Sequence, residues 1–211
     1  MANSRSQSNS LLIVLSAPSG TGKTTVCRRL REMQPELKFS VSHTTRPPRQ
    51  NERNGIDYHF INGEQFETMQ KNDEFLESAW VHNHFYGTAC ETLRRHRERG
   101  EDVVLELDPQ GAASIRKLNL DAVFIFILPP SLQELERRLR KRNTESDEKI
   151  TERLIAGKME IAQYHLYDYI VANHDVEETV QTLLCIIHAE KYRSTRFQTE
   201  CPVIGDILKS G

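Results

Sequence analysis

Apolar residues in this chain fall in short unbroken runs rather than in polar–apolar alternation. Residues 11–17, 103–107, 123–128 and 169–172 each hold a strand's length of mostly apolar positions, the pattern of strands buried on both faces of a parallel sheet. Between the runs, residues 24–33, 89–99, 132–142, 148–164 and 177–192 carry charges and apolar positions at helical spacing. This alternation predicts an α/β fold in which crossover helices cover a parallel sheet. Residues 39–87 break the rhythm: β-like pieces at 39–42, 57–61 and 80–86, a Pro-Pro at 47–48, and one short helix around 64–71. Such a segment reads as an inserted lobe that carries a ligand.

The chain's 211 residues, 37% of them hydrophobic, can bury one compact core with excursions. Its longest apolar runs are too short to cross a bilayer, and the Ser/Asn-rich residues 1–10 lack the apolar stretch of a signal peptide. We expect a disordered tail there and a second tail at 197–211. Cys27, Cys90, Cys185 and Cys201 are scattered without a C-x-x-C pair, which suits a reducing cytoplasm. A net charge of -2 gives no general attraction for nucleic acid.

Directly after the first apolar run stands SAPSGTGK, residues 16–23. With Thr24 it meets G-x-x-x-x-G-K-[ST] except that Ala17 replaces the first glycine. Gly20 and Gly22 let backbone N–H groups turn inward around phosphate oxygens. Lys23 brings a cation to the terminal phosphates, and Thr24 offers a hydroxyl to Mg²⁺ at a helix N-terminus. Strand, loop, Lys-Thr and helix follow in the required order, so residues 17–25 read as a P-loop for ATP or GTP.

The phosphate acceptor must be sought elsewhere. In SVSHTTRPPRQNERNGIDYHF, residues 40–60, Pro47 and Pro48 favour polyproline II, whose three-residue turn puts Arg46 and Arg49 on one edge. With the hydroxyls of Ser42 and Tyr58, two guanidinium forks can clamp a phosphate monoester. Further on, Arg138 and Arg142 lie four apart on one helix face and Arg153 follows on the next helix. Phosphoryl transfer spreads negative charge over the moving oxygens, so arginines delivered by a closing lid can stabilise it while excluding water. The acidic neighbours Glu134, Glu136, Glu145 and Glu148 argue against a nucleic-acid site.

The ordered series APSGTGK (17–23), SHTTRPPR (42–49), GIDY (55–58), FLE (75–77), YGT (86–88), D-x-QG (108–111), ILPPS (127–131) and N-x-D (173–175) resembles the guanylate kinase family over residues 11 to 192. The resemblance implies a P-loop NTPase core (11–38, 90–133 and 158–196), a GMP-binding lobe (39–89) and a helical lid (134–157). The implied reaction is ATP + GMP → ADP + GDP with Mg²⁺. It assigns ATP to Ala17, Pro18, Ser19, Gly20, Thr21, Gly22, Lys23, Thr24, Thr25 and Asn173, and the GMP phosphate to Ser42, Arg46, Arg49, Tyr58 and Tyr86. Guanine falls to Glu77, Thr88 and Asp108. The metal falls to Thr24 and to Glu106 at the end of a Walker B-like strand, and phosphoryl-transfer roles to Lys23, Arg46, Arg138, Arg142 and Arg153. Partners are then ATP and GMP, with dGMP and the oligomeric state left open. The sequence departs from the family pattern at Pro109, Asn143 and His174. A non-catalytic module of the same fold is disfavoured by the intact Lys23 and Thr24, and a sugar-phosphate kinase by the Ser42–Arg46–Arg49–Tyr58 series with Glu77 and Thr88. His82 and His84 alternate as strand neighbours, but no third metal ligand follows at a sensible spacing.

Overall fold

The computed structural model describes residues 10–49, 52–81, 83–141 and 146–196. In chain order the strands are β1 (Leu12–Ser16), β2 (Lys38–Phe39), β3 (His43–Thr44), β4 (His59–Phe60), β5 (Phe75–Val81), β6 (His84–Ala89), β7 (Val103–Leu107), β8 (Val123–Leu128) and β9 (Tyr169–Ala172). The helices are α1 (Lys23–Met33), α2 (Gly63–Lys71), α3 (Cys90–Glu98), α4 (Pro109–Lys117), α5 (Leu132–Lys141), α6 (Asp147–Ile161) and α7 (Val176–Lys191).

Five strands form an all-parallel sheet in the order β2-β7-β1-β8-β9. Every residue of β1 is buried, because both faces of the sheet are covered. Leu11, Ile13 and Leu15 pack with Val26 and Leu30 of α1 and Val180, Leu183 and Ile187 of α7. Leu12 and Val14 point the other way, to Leu93 of α3 and Ala112 and Ile115 of α4. A strand with period-two side chains and two dry faces favours apolar residues throughout, and in β1 only the last position, Ser16, is polar. Each such Leu or Ile side chain contributes about 1.5–3 kcal/mol by leaving water. From β1 the chain moves by α1 to the β2 edge, whereas α4 crosses from β7 to β8 on the other side. The carboxyl end of β1 is therefore the switch point at which open α/β sheets bind ligands.

A smaller mixed sheet, β4-β3-β6-β5, stands beside the core. Helix α2 covers it with Phe66, whose ring stacks on Phe75 (4.5 Å between centroids) and Phe85 (5.0 Å). Asn62 and Gln65 close a reciprocal capping box at its start, satisfying two otherwise orphaned N–H groups. Helices α5 and α6 pack on one another through Leu135, Leu139 and Ile150.

Four elements differ from the sequence-based expectation. The piece at 39–42 is split: Phe39 pairs with Val104 in the core sheet and His43 pairs with Gly87 in the small one, so the chain changes sheets at Ser40. The piece at 80–86 is the tip of a hairpin, with Val81 opposite His84 and Asn83 at φ 65°, and His82 lies outside the described residues. Helix α4 is an element the expectation did not include; it opens on Pro109, which suits a first helical turn where the lost N–H would bond nothing. The helix expected to reach residue 164 ends at Ile161, and a short 3₁₀ turn follows at Tyr164–Leu166. Arg142 and Asn143 lie outside the described residues.

Candidate active site

The loop from Ala17 to Gly22 joins β1 to α1, and two glycines shape it. Gly20 (φ +90°) and Gly22 (φ +99°) adopt the left-handed conformation that side chains rarely tolerate. Space forbids a side chain as well: a Cβ on Gly20 would lie 2.9 Å from Leu139 Cδ2, and one on Gly22 would lie 2.9 Å from Asn173 Nδ2. Lys23 then starts α1, its Nζ donating to the Leu107 carbonyl at 2.7 Å and standing 3.9 Å from Glu106 Oε1. The Thr24 hydroxyl donates to the same Glu106 oxygen at 3.4 Å. A lysine, a hydroxyl and a carboxylate thus converge at a helix N-terminus, where the macrodipole and free N–H groups attract anions.

On the small sheet, β5 and β6 place Glu77 directly opposite Thr88. Glu77 is 7% exposed and Thr88 1% exposed, and the Thr88 hydroxyl donates to Glu77 Oε1 at 2.7 Å. Burial pushes the Glu77 carboxyl up to about 7; Asp108 adds to the rise, while Thr88 and, more distantly, Lys23 oppose it. Asp108 caps α4, its Oδ1 accepting the Gly111 N–H at 2.8 Å. Gly111 must be small, since a Cβ there would sit 2.9 Å from Glu77 Oε2 and 3.2 Å from Asp108 Oδ1. Pro109, one residue into α4, leaves this arrangement undisturbed.

Arg46 and Arg49 do converge, and the group they converge on is a carboxylate. Arg46 Nη2 donates to Glu52 Oε1 at 2.9 Å, the Arg49 backbone N–H donates to Glu52 Oε2 at 2.8 Å, and Arg49 Nη1 is 3.9 Å from Oε1. Arg46 is the better held of the two, with its side chain 11% exposed against 65% for Arg49. Its guanidinium carbon lies 5.4 Å from the ring centre of Tyr58, which packs edge-on to Tyr86. Burial pushes the Tyr58 phenol well above its ordinary range, so it stays a neutral donor. Ser42 flanks the group and accepts the His59 N–H through its carbonyl at 2.9 Å.

Helix α5 lies against the loop. Arg138 donates from Nη1 to the Thr21 carbonyl at 2.6 Å and from Nη2 to the Asn173 carbonyl at 3.3 Å, with Nε held by Glu134 at 2.7 Å. Arg153 is on α6, partly exposed. Glu160, also on α6, faces Ser19 and Asp108, and burial pushes its carboxyl up to about 7. Asn173 is 2% exposed and turns its amide to the Thr21 carbonyl.

The family model described as guanylate kinase matches residues 9–190. The chain belongs to the guanylate kinase family. Curated relatives agree: a guanylate kinase from Syntrophotalea carbinolica is 47% identical over 94% of this chain and 95% of its own. One from Caldanaerobacter subterraneus is 47% identical over 88% and 90%. The crystal structure of guanylate kinase from Anaplasma phagocytophilum superposes with a TM-score of 0.74 at 34% identity, covering 90% of each chain. The α/β architecture with its central parallel sheet is therefore that of the guanylate kinase fold. Among the described residues no helix is long and apolar enough to cross a membrane, and no group of three or more His, Cys, Asp or Glu is placed to hold a metal ion.

Sequence reasoning about the guanylate kinase motifs missed Glu52, Glu160 and Thr179. The first had a signal, an acidic residue three after Arg49 in a basic turn. The others had none, because they meet the loop only through the packing of α6 and α7.

Proposed function

We propose that this chain is a guanylate kinase that moves the γ-phosphoryl group of ATP to GMP, giving ADP and GDP. The observation that carries the reading is geometric: Lys23 of the donor loop donates to the Leu107 carbonyl at 2.7 Å, and at the next residue Asp108 caps α4 where a Cβ on Gly111 would meet both Glu77 and Asp108, so the anion cradle and the buried carboxylate pocket meet at the end of β7. The ATP phosphates would lie on the N–H groups of residues 17–25 with Lys23 on the terminal oxygens. A hydroxyl and a carboxylate side by side suit Mg²⁺, a hard cation that binds through one or two protein oxygens, waters and substrate phosphate. Thr24 and Glu106 would hold it or its waters, and when bound it supplies charge neutralisation at the phosphoryl oxygens.

The GMP phosphate would displace Glu52 as the anion between Arg46 and Arg49 and gain the hydroxyls of Ser42, Tyr58 and Tyr86. Guanine presents N1–H and the exocyclic amino group side by side; Glu77 accepts from both, Asp108 assists with its second oxygen, and Thr88 redirects its proton to O6. Arg138, Arg142 and Arg153 are the lid arginines that meet the moving charge. We place the core at 11–38, 90–133 and 158–196, the GMP lobe at 39–89 and the lid at 134–157; the two expected tails, but for Ser10, lie outside the described residues. A cytoplasmic setting suits Cys27, Cys90 and Cys185, all free thiols. A coupled assay with ATP and Mg²⁺ tests this: GMP turns over, while AMP, UMP and a sugar phosphate do not. Comparable rates for AMP or the sugar phosphate would overturn it.

A further inference from the structure

Behind the donor loop a chain of hydrogen bonds runs from α7 through Asn173 to the Thr21 carbonyl. Asn173 Nδ2 donates to the Thr21 carbonyl at 2.9 Å. The Thr179 hydroxyl, 2% exposed on α7, shares its one proton between the Asp175 carbonyl at 2.6 Å and Asn173 Oδ1 at 3.1 Å. The Thr21 carbonyl can only accept, so it settles that the Nδ2 end of the Asn173 amide faces the loop. Arg138 adds a second donor to the Thr21 carbonyl at 2.6 Å and braces the Asn173 carbonyl at 3.3 Å.

A trans peptide is planar, with its C=O and N–H pointing in opposite directions. Two donors that pull the Thr21 carbonyl to the outer side of the loop must therefore turn the Gly22 N–H to the inner side, where a phosphate oxygen would sit. The flanking glycines make this necessary: Gly20 at φ +90° and Gly22 at φ +99° leave a backbone with more accessible states than any other, so the peptide between them could otherwise rotate. Close approach completes the fit, since a Cβ on Gly22 would fall 2.9 Å from Asn173 Nδ2 and 3.6 Å from Arg138 Nη1.

We propose that Asn173, oriented by Thr179, is a positioning residue for ATP that acts through the Thr21–Gly22 peptide, holding the Gly22 N–H in the anion-receiving direction. This rests on residues 17–24 being the donor site. Asn173 then serves the ATP side through the loop backbone, and Thr179 acquires a role in the reaction from a helix behind the loop.

Steady-state kinetics with ATP and GMP varied separately test it, together with calorimetric binding of a non-hydrolysable ATP analogue. Thr179→Val removes the hydroxyl at nearly constant shape; Thr179→Ser keeps it. Misplacing a binding group costs about 10- to 100-fold, so Asn173→Ala and Thr179→Val should lower kcat/KM for ATP by about that factor and weaken analogue binding. The KM for GMP should stay within about twofold, and Thr179→Ser should restore ATP use. Lys23→Ala serves as the control for the donor site itself. If Lys23→Ala is impaired while Asn173→Ala keeps normal ATP kinetics, the positioning role is wrong and the donor site stands. A normal Lys23→Ala would remove the donor site and the proposal with it. Equal rises in KM for ATP and GMP, or a Thr179→Ser variant as impaired as Thr179→Val, would reduce the network to general structural support and overturn the proposal. If Thr179→Val does not fold, Asn173→Ala with its melting temperature decides alone.

Discussion

The two halves of the cleft are built in opposite ways. The donor loop is fixed from all sides: β1 is wholly buried beneath it, Leu135 and Leu139 press on Gly20, and Arg138 and Asn173 hold the Thr21 carbonyl. The acceptor lobe is thin, and its strands β3 and β4 are two residues each. Its polar groups pair with one another, Arg46 and Arg49 as cations on Glu52 and the Thr88 hydroxyl as a donor to Glu77. A preorganised half gives little when its ligand arrives. The self-paired half must exchange internal partners for ligand, so its affinity reports the difference between two hydrogen-bonded states. Base choice should therefore reside in the lobe and phosphoryl transfer in the loop.

Base discrimination is the largest effect this contrast predicts. Adenine has no neighbouring donor pair for Glu77, and a pocket of buried polar groups rejects a base that leaves them unpaired by up to about 10⁴-fold. GMP should therefore greatly exceed AMP in kcat/KM, with IMP, which lacks the amino group, between them. Equal efficiencies would erase the distinction between the halves. On the donor side, Lys23→Ala should keep the fold and lower kcat by about a hundredfold or more, the scale of a lost electrostatic stabiliser; near-normal turnover in pure protein would remove its role. Glu77→Gln should cost about 2–3 kcal/mol in ΔΔG‡ for GMP and leave ATP binding nearly unchanged. A matching loss on the ATP side would mean that the halves are not separable.

The raised Glu77 carboxyl gives a subtler test. Guanine needs the charged form, so kcat/KM for GMP should climb as pH rises through about 7, and Glu77→Gln should abolish that limb. Stability runs the other way. A carboxyl whose folded pKa lies above its ordinary value contributes fully below that ordinary value, and the contribution is lost as pH rises through about 7. Melting temperature and GMP efficiency should thus move in opposite directions, with the Glu77 contribution to both absent from the Gln variant. The smallest effect separates the two lobe arginines. Arg46→Ala, which strands a partly buried Glu52, should raise the GMP KM by about tenfold or more, and Arg49→Ala, mostly exposed, by less. The reverse order would show that burial is a poor guide to the clamp.

Much of this was legible before any coordinates. Strands β7, β8 and β9 were bounded correctly by their apolar runs: β8, buried on both faces, leaves an uninterrupted signature, whereas β7 keeps its run around Glu106 and the edge strand β9 keeps it although Ile170 and Ala172 are exposed. The P-loop was legible because its chemistry is local: one strand, one turn and the first turn of a helix place Gly20, Gly22, Lys23 and Thr24 together. The Arg46/Arg49 pair was legible for the same reason, through the geometry of Pro47 and Pro48. What the sequence could not display were contacts across large separations in the chain. Thr179 reaches the loop only through Asn173, whose amide meets the Thr21 carbonyl across a separation of 152 residues. Glu160 faces Ser19 only because α6 folds back over the loop. Composition and periodicity describe each segment's environment, dry, wet or turning, and so determined the α/β layers and the anion cradle. Which carbonyl an asparagine holds, which acid occupies a clamp, and which carboxyl is driven up to about 7 depend on distances set by packing. Only the tertiary structure decided those, because hydrogen bonds and desolvation act over a few ångströms and take no account of separation along the chain.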